Sequence, residues 1–451
     1  MVSSLYDITR AIAKAMLAGP PETDGVAARM VAVLGDSPLW VHDVAVGAVK
    51  IFGTRWTEVS PRDLSFFITD APRFVEAWRS DDPPRIARIV LQPPVQRPLP
   101  PALAGLELPR WSTSRDLADW LGLAIPEFEW LTDHWRVEPR SSGTPLHHYT
   151  YRMFDKRDGG CRLIEIPKGR LREAQRRILR GLLDRVPPHD AAHGFRKGRG
   201  IVSFAAPHAD RDVVIRFDLM DFFVSVGAKK VHALFDTLGY PVEVVRALTA
   251  LCTNRVPSAR LLASDLRDRL DSSGRQRYRD RHLPQGAATS PALANLCAFR
   301  LDTRLAALAR SLDATYTRYA DDLAFSGGLM LARAAERLPI WVASIAIEEG
   351  FALQLRKTRV MRRGVRQRLA GVVVNRHPNF ARDQFDTLKA ILTNCVRQGS
   401  ASQNRDAHAD FRGYLAGRVA HATMLNTARG MKLQSIFDRI AWDSMEPDVA
   451  T

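Results

Sequence analysis

Two apolar runs that meet aspartates constrain this chain more than any other feature. Val213-Val214-Ile215-Arg216-Phe217 is β-branched and aromatic, the texture of a central buried strand, and it ends on Asp218. Further along, Tyr319-Ala320-Asp321-Asp322 interrupts the two short apolar runs of ATYTRYADDLAFSG, which puts both acids at the tip of a tight hairpin. Adjacent side chains on a regular strand point to opposite faces, so Asp321 and Asp322 cannot both face one way along a strand. At a turn, one can face a metal while the other supports it. If the hairpin pairs with the first run, Asp218 and Asp321 converge. Buried convergent carboxylates are costly unless they bind cations. Two Mg²⁺ ions about 3.5–4 Å apart would neutralise them, and could activate a 3′-hydroxyl and stabilise a leaving pyrophosphate. An isolated Asp-Asp pair is ordinary turn chemistry. The apolar runs on both sides, and the motifs that follow in order, favour the metal-binding reading.

Around this centre the chain divides by texture. Residues 1–92 read as mostly helical, with apolar residues at three- and four-residue spacings in LYDITRAIAKAML and AARMVAVLG; their role is unassigned. Pro93-Pro94-Val95-Gln96-Arg97-Pro98-Leu99-Pro100-Pro101 cannot be a helix interior, and 93–112 reads as a semi-rigid linker. A helix begins near Thr113 or Ser114, which serve as N-cap, and Pro126 is expected to break it before EFEWLTDHW. The pair superficially resembles a helix-turn-helix, but nothing basic sits on its second helix, which favours simple packing. HHYTYRMF and CRLIEIP alternate like strands around the turn signal Lys156-Arg157-Asp158-Gly159-Gly160. A basic helix, LREAQRRILRGLLDRV, follows and stops at Pro187-Pro188. QRLAGVVVN reads as a further strand, and the chain from Arg382 as three helices.

Charge separates the same parts. The chain of 451 residues carries a net +16. Residues 1–150 hold 15 Lys and Arg against 18 Asp and Glu, whereas 151–451 hold 50 against 31. A basic body with a near-neutral N-terminal region points to a polyanion, most simply nucleic acid. Four widely spaced cysteines without a CxxC pair read as reduced thiols and give no zinc-ligand spacing. No apolar run approaches the roughly 20 residues of a membrane helix, and the start of the chain lacks a signal-peptide layout, so a cytoplasmic protein is expected.

Six motifs occur in a recognisable order: HGFRKGRG at 193–200, RFDLMDFF at 216–223, LPQGAATSPALANL at 283–296, YTRYADDLAFSG at 316–327, GFALQLRKT at 350–358 and LAGVVVN at 369–375. With them the sequence, over roughly residues 113–442, resembles the bacterial reverse transcriptases, particularly those of retrons. The resemblance implies an α+β right-hand polymerase: fingers and antiparallel-sheet palm over 113–375, helical thumb and tail over 376–451, and the helical N-terminal region as an extension. It implies that Asp218 and Asp321 are the metal ligands, with Asp322 completing the triad. Phe223 falls at the aromatic steric gate beneath the sugar of the incoming nucleotide. Gln285 and Gly286 fall beside the nascent base pair, where a glycine allows close backbone approach. Lys357 falls near the leaving pyrophosphate as a general acid. Lys156 and Arg162, on the fingers hairpin, are candidates for holding the triphosphate; a guanidinium can clamp phosphate bidentately, which favours Arg162, and the bland reading of Lys156 is a solvated turn lysine. The basic run from Arg356 to Arg368, with Arg362 and Arg363, would line the duplex backbone. The tail, with Arg412, Arg418, Arg429 and Lys432, would track the duplex by shape.

Two family elements are altered. The retron Asn-Ala-x-x-His element reads Phe204-Ala205-Ala206-Pro207-His208, and Val-Thr-Gly reads Leu369-Ala370-Gly371. His208 is a candidate contact to the cognate RNA by resemblance, or a structural hydrogen-bonded histidine. The stretch after Asn375 reads as thumb, without a ribonuclease H domain. The implied activity is RNA-directed DNA polymerisation from deoxynucleoside triphosphates. A structured non-coding RNA would serve as template and as 2′-hydroxyl primer, yielding a branched RNA–DNA hybrid, in anti-phage defence with an effector protein. The alternatives are a reverse transcriptase of abortive-infection or diversity-generating type, and an RNA-binding scaffold with an idle centre.

Overall fold

The computed structural model describes residues 4–56, 59–89, 95–133, 147–155, 161–262 and 272–442. The chain forms two compact units, 1–95 and 96–451. The first is built from α1 (Leu5–Met16), α2 (Thr23–Leu34), α3 (Leu39–Phe52), α4 (Pro61–Asp70) and α5 (Pro72–Trp78). Capping boxes start α1 (Ser4 with Asp7) and α4 (Ser60 with Asp63), satisfying backbone N–H groups that a helix start leaves open. Ile8, Ile12 and Met16 recur every fourth residue on α1 and are buried with Val26, Met30, Leu64 and Ile68, while Trp40 meets Phe74 edge-on at 5.1 Å.

The second unit begins with a segment that the sequence suggested was a linker; the structure shows residues 96–112 packed along the body. The Arg97 amide donates to the Gly239 carbonyl at 2.7 Å, and Arg97 pairs with Asp236. Gly239 is required there: its φ is +82°, and a Cβ would lie 2.2 Å from the Arg97 oxygen. Trp111 is buried and stacks on Tyr240, whose hydroxyl donates to the Pro109 carbonyl. Next come α6 (Ser114–Leu121), capped by Thr113 and Asp116, and α7 (Ile125–Leu131). Gly122, at φ +66°, ends α6; Pro126 lies in the first turn of α7 rather than breaking a helix.

Strands β1 (Tyr149–Asp155) and β2 (Cys161–Pro167) form the expected antiparallel hairpin, with Phe154 opposite Arg162, and α8 (Gly169–Gly181) follows. The central sheet is antiparallel, in the order β4-β5-β3-β6, from β3 (Val213–Asp218), β4 (Ala314–Tyr319), β5 (Asp322–Gly327) and β6 (Arg359–Arg362). Both faces are covered, which is why β3 is apolar on both sides apart from Arg216 and the terminal Asp218. Val213, Ile215, Phe217, Leu323 and Phe325 pack into a core with the helices Ala228–Thr237, Val242–Cys252, Ser290–Cys297 and Phe299–Ser311. Val214 and Ala324 belong to a second core with Leu388, Leu392, Leu415, Val419 and Leu433 of the helices Arg382–Gln398, Phe411–Leu425 and Thr427–Phe437. QRLAGVVVN is two short strands, β7 (Arg368–Leu369) and β8 (Val372–Val373), because Ala370 and Gly371 turn at φ +43° and +91°. The α+β architecture fits the right-hand polymerase that the motif order implied. No helix among the described residues is long and apolar enough to cross a membrane.

Candidate active site

The acidic motifs meet where β3 ends and β4 turns into β5. Asp218 stands opposite Asp322 in the β3–β5 register, and the Leu219 amide donates to the Asp321 carbonyl at 2.9 Å. Directly opposed residues share a sheet face, so Asp218, Asp322 and, two residues back, Arg216 project together; Arg216 Nε lies 3.7 Å from Asp322 Oδ1. The turn between β4 and β5 is sharp. Ala320 adopts φ +56°, a left-handed conformation that costs an L-residue about 1–2 kcal/mol. Its carbonyl is held by Arg318, whose Nη1 donates to it at 3.1 Å.

Arg318 is fully buried. Its Nε and Nη2 donate to Asp302 at 2.8 and 2.7 Å, Nη1 donates to Asn295 at 2.9 Å, and the guanidinium lies over the Phe222 ring. Asn295 in turn donates to the Gly194 carbonyl at 2.8 Å. Gly194 lies so close to the acidic turn that a Cβ would be 2.7 Å from the Ala320 nitrogen. The first glycine of HGFRKGRG therefore has a steric reason.

The segment after Phe351 wraps the end of β3. Met220 donates to Ala352, and Gln354 donates to the Asp218 carbonyl at 2.7 Å. A short 3₁₀ turn, Leu355–Lys357, then brings Lys357 Nζ to 3.3 Å from both Asp218 carboxylate oxygens. Burial, then Asp321, push the Asp218 carboxyl above its ordinary pKa, against the pull of Lys357 and Arg216. Burial and Asp321 likewise raise Asp322 to about 6, opposed chiefly by Arg216. The cluster thus holds more negative charge than its two cationic neighbours accommodate, which is the electrostatic setting of a divalent cation. Among the described residues, no group of three or more His, Cys, Asp or Glu side chains is arranged to hold a metal ion by itself. Magnesium does not need one, because one or two carboxylates plus water and substrate phosphates complete its octahedron. The donor set therefore fits.

Phe223 follows a tight turn in which Asp221 has φ +48° and is paired with Arg277 at 2.6 Å. Its half-buried ring touches Phe222 and Phe195, with centroids 5.6 and 5.9 Å away. The Gln285 carbonyl accepts the Glu165 amide at 2.8 Å, so the Gln285–Gly286 loop is attached to β2. Gly286 has φ +134°, and a Cβ would stand 2.7 Å from the Glu165 carbonyl. Gln285 Oε1 is buried without a hydrogen-bond partner among the described residues. The Glu165 side chain, fully buried, accepts from Asn254 at 2.7 Å and is bonded to His282 at 2.9 Å. Burial would lower the His282 pKa, but Glu165 outweighs it and holds the imidazole above its ordinary value.

The profile of the reverse transcriptase (RNA-dependent DNA polymerase) family matches residues 154–389, which contain every one of these groups. The chain is 39% identical over 338 residues to the retron Mx65 reverse transcriptase of Myxococcus xanthus, covering 73% of this chain and 72% of that one. It is 38% identical over 328 residues to the retron Mx162 reverse transcriptase of the same organism, covering 70% and 64%. With the retron Ec86 reverse transcriptase of Escherichia coli the identity is 29% over 249 residues, 54% of this chain and 69% of that one. The chain belongs to the retron reverse transcriptases. It is an RNA-directed DNA polymerase, with an RNA template and deoxynucleotide substrates, of a family that works with divalent metal ions.

Within this reverse transcriptase, the residues expected from sequence divide into those that meet and those that do not. Asp218, Asp321, Asp322 and Lys357 come together, and Gln285 and Gly286 come together against β2. Arg162 is exposed on β2, and no contact among the described residues joins it to the acids. Lys156 lies outside the described residues. Arg362 is exposed on edge strand β6, opposite Val213; Arg363 is exposed and paired with Asp210 at 2.5 Å. His208 is a correction. It is fully buried, with Nδ1 2.7 Å from the Ser326 hydroxyl and Nε2 2.7 Å from that of Thr317, so it has neither surface nor free nitrogen for RNA. Burial takes its pKa down to about 3, and the ring is neutral. Sequence reasoning missed Arg318 with Asp302, Glu165 with His282, and Phe195 beside Phe223. Only the charged residue at an apolar strand position, Arg318 between Thr317 and Tyr319, gave a signal.

Proposed function

We propose that this reverse transcriptase copies part of a structured non-coding RNA into a branched RNA–DNA hybrid, using a 2′-hydroxyl of that RNA as primer, in cytoplasmic anti-phage defence with an effector protein. In this reading Asp218 and Asp321 hold two Mg²⁺ ions, and Asp322, facing Asp218 and opposed by Arg216, supports them. The ions, when bound, lower the pKa of the attacking hydroxyl and offset charge on the leaving pyrophosphate. Lys357 is tied to Asp218 yet 41% exposed at its side chain, so its ammonium can turn to a phosphate oxygen and donate a proton. Phe223 lies under the sugar and rejects a 2′-hydroxyl by contact. Gln285 and Gly286 read the width of the new base pair, Arg162 and Lys156 hold the triphosphate, and Arg362 and Arg363 lie along the template–product backbone.

The observation that carries this reading is the meeting of Asp218 with the Asp321–Asp322 turn, with Lys357 bonded to both Asp218 oxygens. Asp218→Asn and Asp321→Asn should each abolish Mg²⁺-dependent incorporation on a primed RNA while RNA binding persists. Sequencing of RNA and DNA that co-purify with the protein should find one structured RNA joined to complementary DNA through a 2′ branch. Linear DNA, or DNA unrelated to any bound RNA, overturns the retron product in favour of another class of reverse transcriptase.

A further inference from the structure

Helix α8 is mounted on the body by one face. Leu171, Ala174 and Ile178 are buried there, and the Gln175 amide donates to the Tyr149 hydroxyl and to the Leu251 carbonyl, both at 2.9 Å. Its outer surface carries five arginines in two groups. Arg170 makes a two-pronged pair with Glu127 of α7, at 2.6 and 2.8 Å, and Arg177 donates to the Leu121 carbonyl at the end of α6 at 2.9 Å. Glu173 lies near both, at 3.7 and 3.5 Å. These two arginines hold the helix to its neighbours.

Arg172, Arg176 and Arg180 do none of this. They are exposed, recur every fourth residue along the other flank of α8, and have no carboxylate within ion-pair distance among the described residues. A rise of about 1.5 Å per residue roots these three side chains roughly 6 Å apart in one row along the helix. The row lines an open groove of about 520 Å³, together with Gly169, Glu173 and Arg177. Like charges four residues apart repel one another and weaken a helix, and no carboxylate among the described residues comes within ion-pair distance of these three to offset that. A row of evenly rooted guanidinium groups without an ion-pair partner among the described residues matches a polyanion whose charges also repeat, and each group can grip phosphate oxygens through two N–H bonds.

We propose that this row is a second RNA contact, gripping the phosphate backbone of a double-stranded part of the RNA outside the polymerase centre. The proposal rests on the chain's RNA-directed activity for its choice of polyanion. The row contains none of the residues expected to touch the nucleotide or the metal ions. It reads charge and spacing rather than sequence, so it would hold any RNA helix.

The test uses the full chain carrying Arg172→Gln, Arg176→Gln and Arg180→Gln together, with a double-stranded RNA hairpin as probe, titrated at several salt concentrations. Each phosphate released from a protein flattens the log–log salt dependence by about 0.7–0.9, so the triple variant should lose about two in slope and bind at least tenfold more weakly at low salt. The triple Arg→Lys variant, which keeps charge, should retain the slope. An unchanged slope in the glutamine variant overturns the proposal. So does a variant whose binding to anionic vesicles falls while hairpin binding stays the same, which would make the row a membrane contact. Incorporation by the wild-type chain on a short primed RNA is measured in parallel. Its absence would sink the polymerase reading without touching the hairpin result.

Discussion

The two units of this chain solve their interiors differently. In the first, 1–95, the buried polar side chains among the described residues are Thr9 and Ser65, hydroxyls 2.8 Å from each other. Its ion pairs, such as Arg73 with Asp43, lie on the surface. In the second, Arg318 and Asp302 are fully buried as an ion pair, as are Glu165 and His282, and Asp218 is nearly so. Burying charge is expensive, and a buried pair adds little stability over well-packed apolar residues. A unit that tolerates so many is shaped by requirements other than stability. Each pair sits one bond from the site: Arg318 holds the Ala320 carbonyl behind the acids, and Glu165 holds the strand to which the Gln285–Gly286 loop is attached. The first unit has the interior of a packed helical body and the second that of a polymerase.

Neutralising one acid should break this contrast most visibly. Asp218→Asn removes a carboxyl whose burial already opposes ionisation, so incorporation should fall on the order of a thousandfold without a lower thermal midpoint. A matched change in the first unit, Asp43→Asn, should leave incorporation at the wild-type rate. A large rate loss in Asp43→Asn would give that unit a part in the chemistry.

Buried pairs also sharpen the comparison through stability. Arg318→Met strands Asp302 in the core, and denaturant titration should show a loss of about 3–5 kcal/mol. Thr9→Val removes a neutral hydroxyl that bonds the Ser65 hydroxyl and the backbone carbonyls one turn back, and should lose only about 1 kcal/mol. Adding Asp302→Leu to Arg318→Met should recover most of the stability but not the rate, because the Ala320 carbonyl stays unheld. If the rate returns with the stability, Arg318 has no positioning role.

How much of this was legible in the sequence depends on how local each signal is. The strands around Asp218, Asp321 and Asp322 declared themselves, as did the Thr113 cap and the β1–β2 hairpin, because periodicity and turn chemistry act within a few residues. The packed course of 96–112 was hidden, since a proline-rich segment has the same composition whether or not Gly239 and Tyr240 wait to receive it. The division of QRLAGVVVN turned on left-handed Ala370, and alanine carries no such signal. Glu165 and His282 are separated by most of the fingers and palm, and no local pattern joins them. His208 matched a family position, yet its burial follows from Ser326 and Thr317 on two distant strands.

A smaller effect concerns the sugar. Phe223→Ala opens the space that Phe195 and Phe222 flank, and single-turnover incorporation should accept ribonucleotides on the order of tenfold more readily relative to deoxyribonucleotides. Phe195→Ala should relax the discrimination less, because Phe195 touches the gate from the side. Equal discrimination in wild type and Phe223→Ala would remove Phe223 from that role.

The last expected effect is a pH dependence between pH 6.5 and 5 from a buried histidine, a group the first unit lacks among its described residues. His208 is held neutral, with a folded pKa of about 3 against 6.5 for a free imidazole. When the folded pKa is the lower one, the unfolded chain takes up the proton first as pH falls. Stability is therefore complete above about pH 6.5, and declines by up to about 1.4 kcal/mol for each unit below that, until the folded ring itself titrates. Between pH 6.5 and 5 the wild type should lose about 1.6 kcal/mol from this residue. His208→Gln keeps two hydrogen-bonding atoms near Ser326 and Thr317 but cannot titrate, so its stability should be lower at pH 7 and flatter towards pH 5. Denaturant titrations at the two pH values compare the slopes. If the variant declines as steeply as the wild type, the acid sensitivity belongs to other groups of the body, and His208 is only a packing residue.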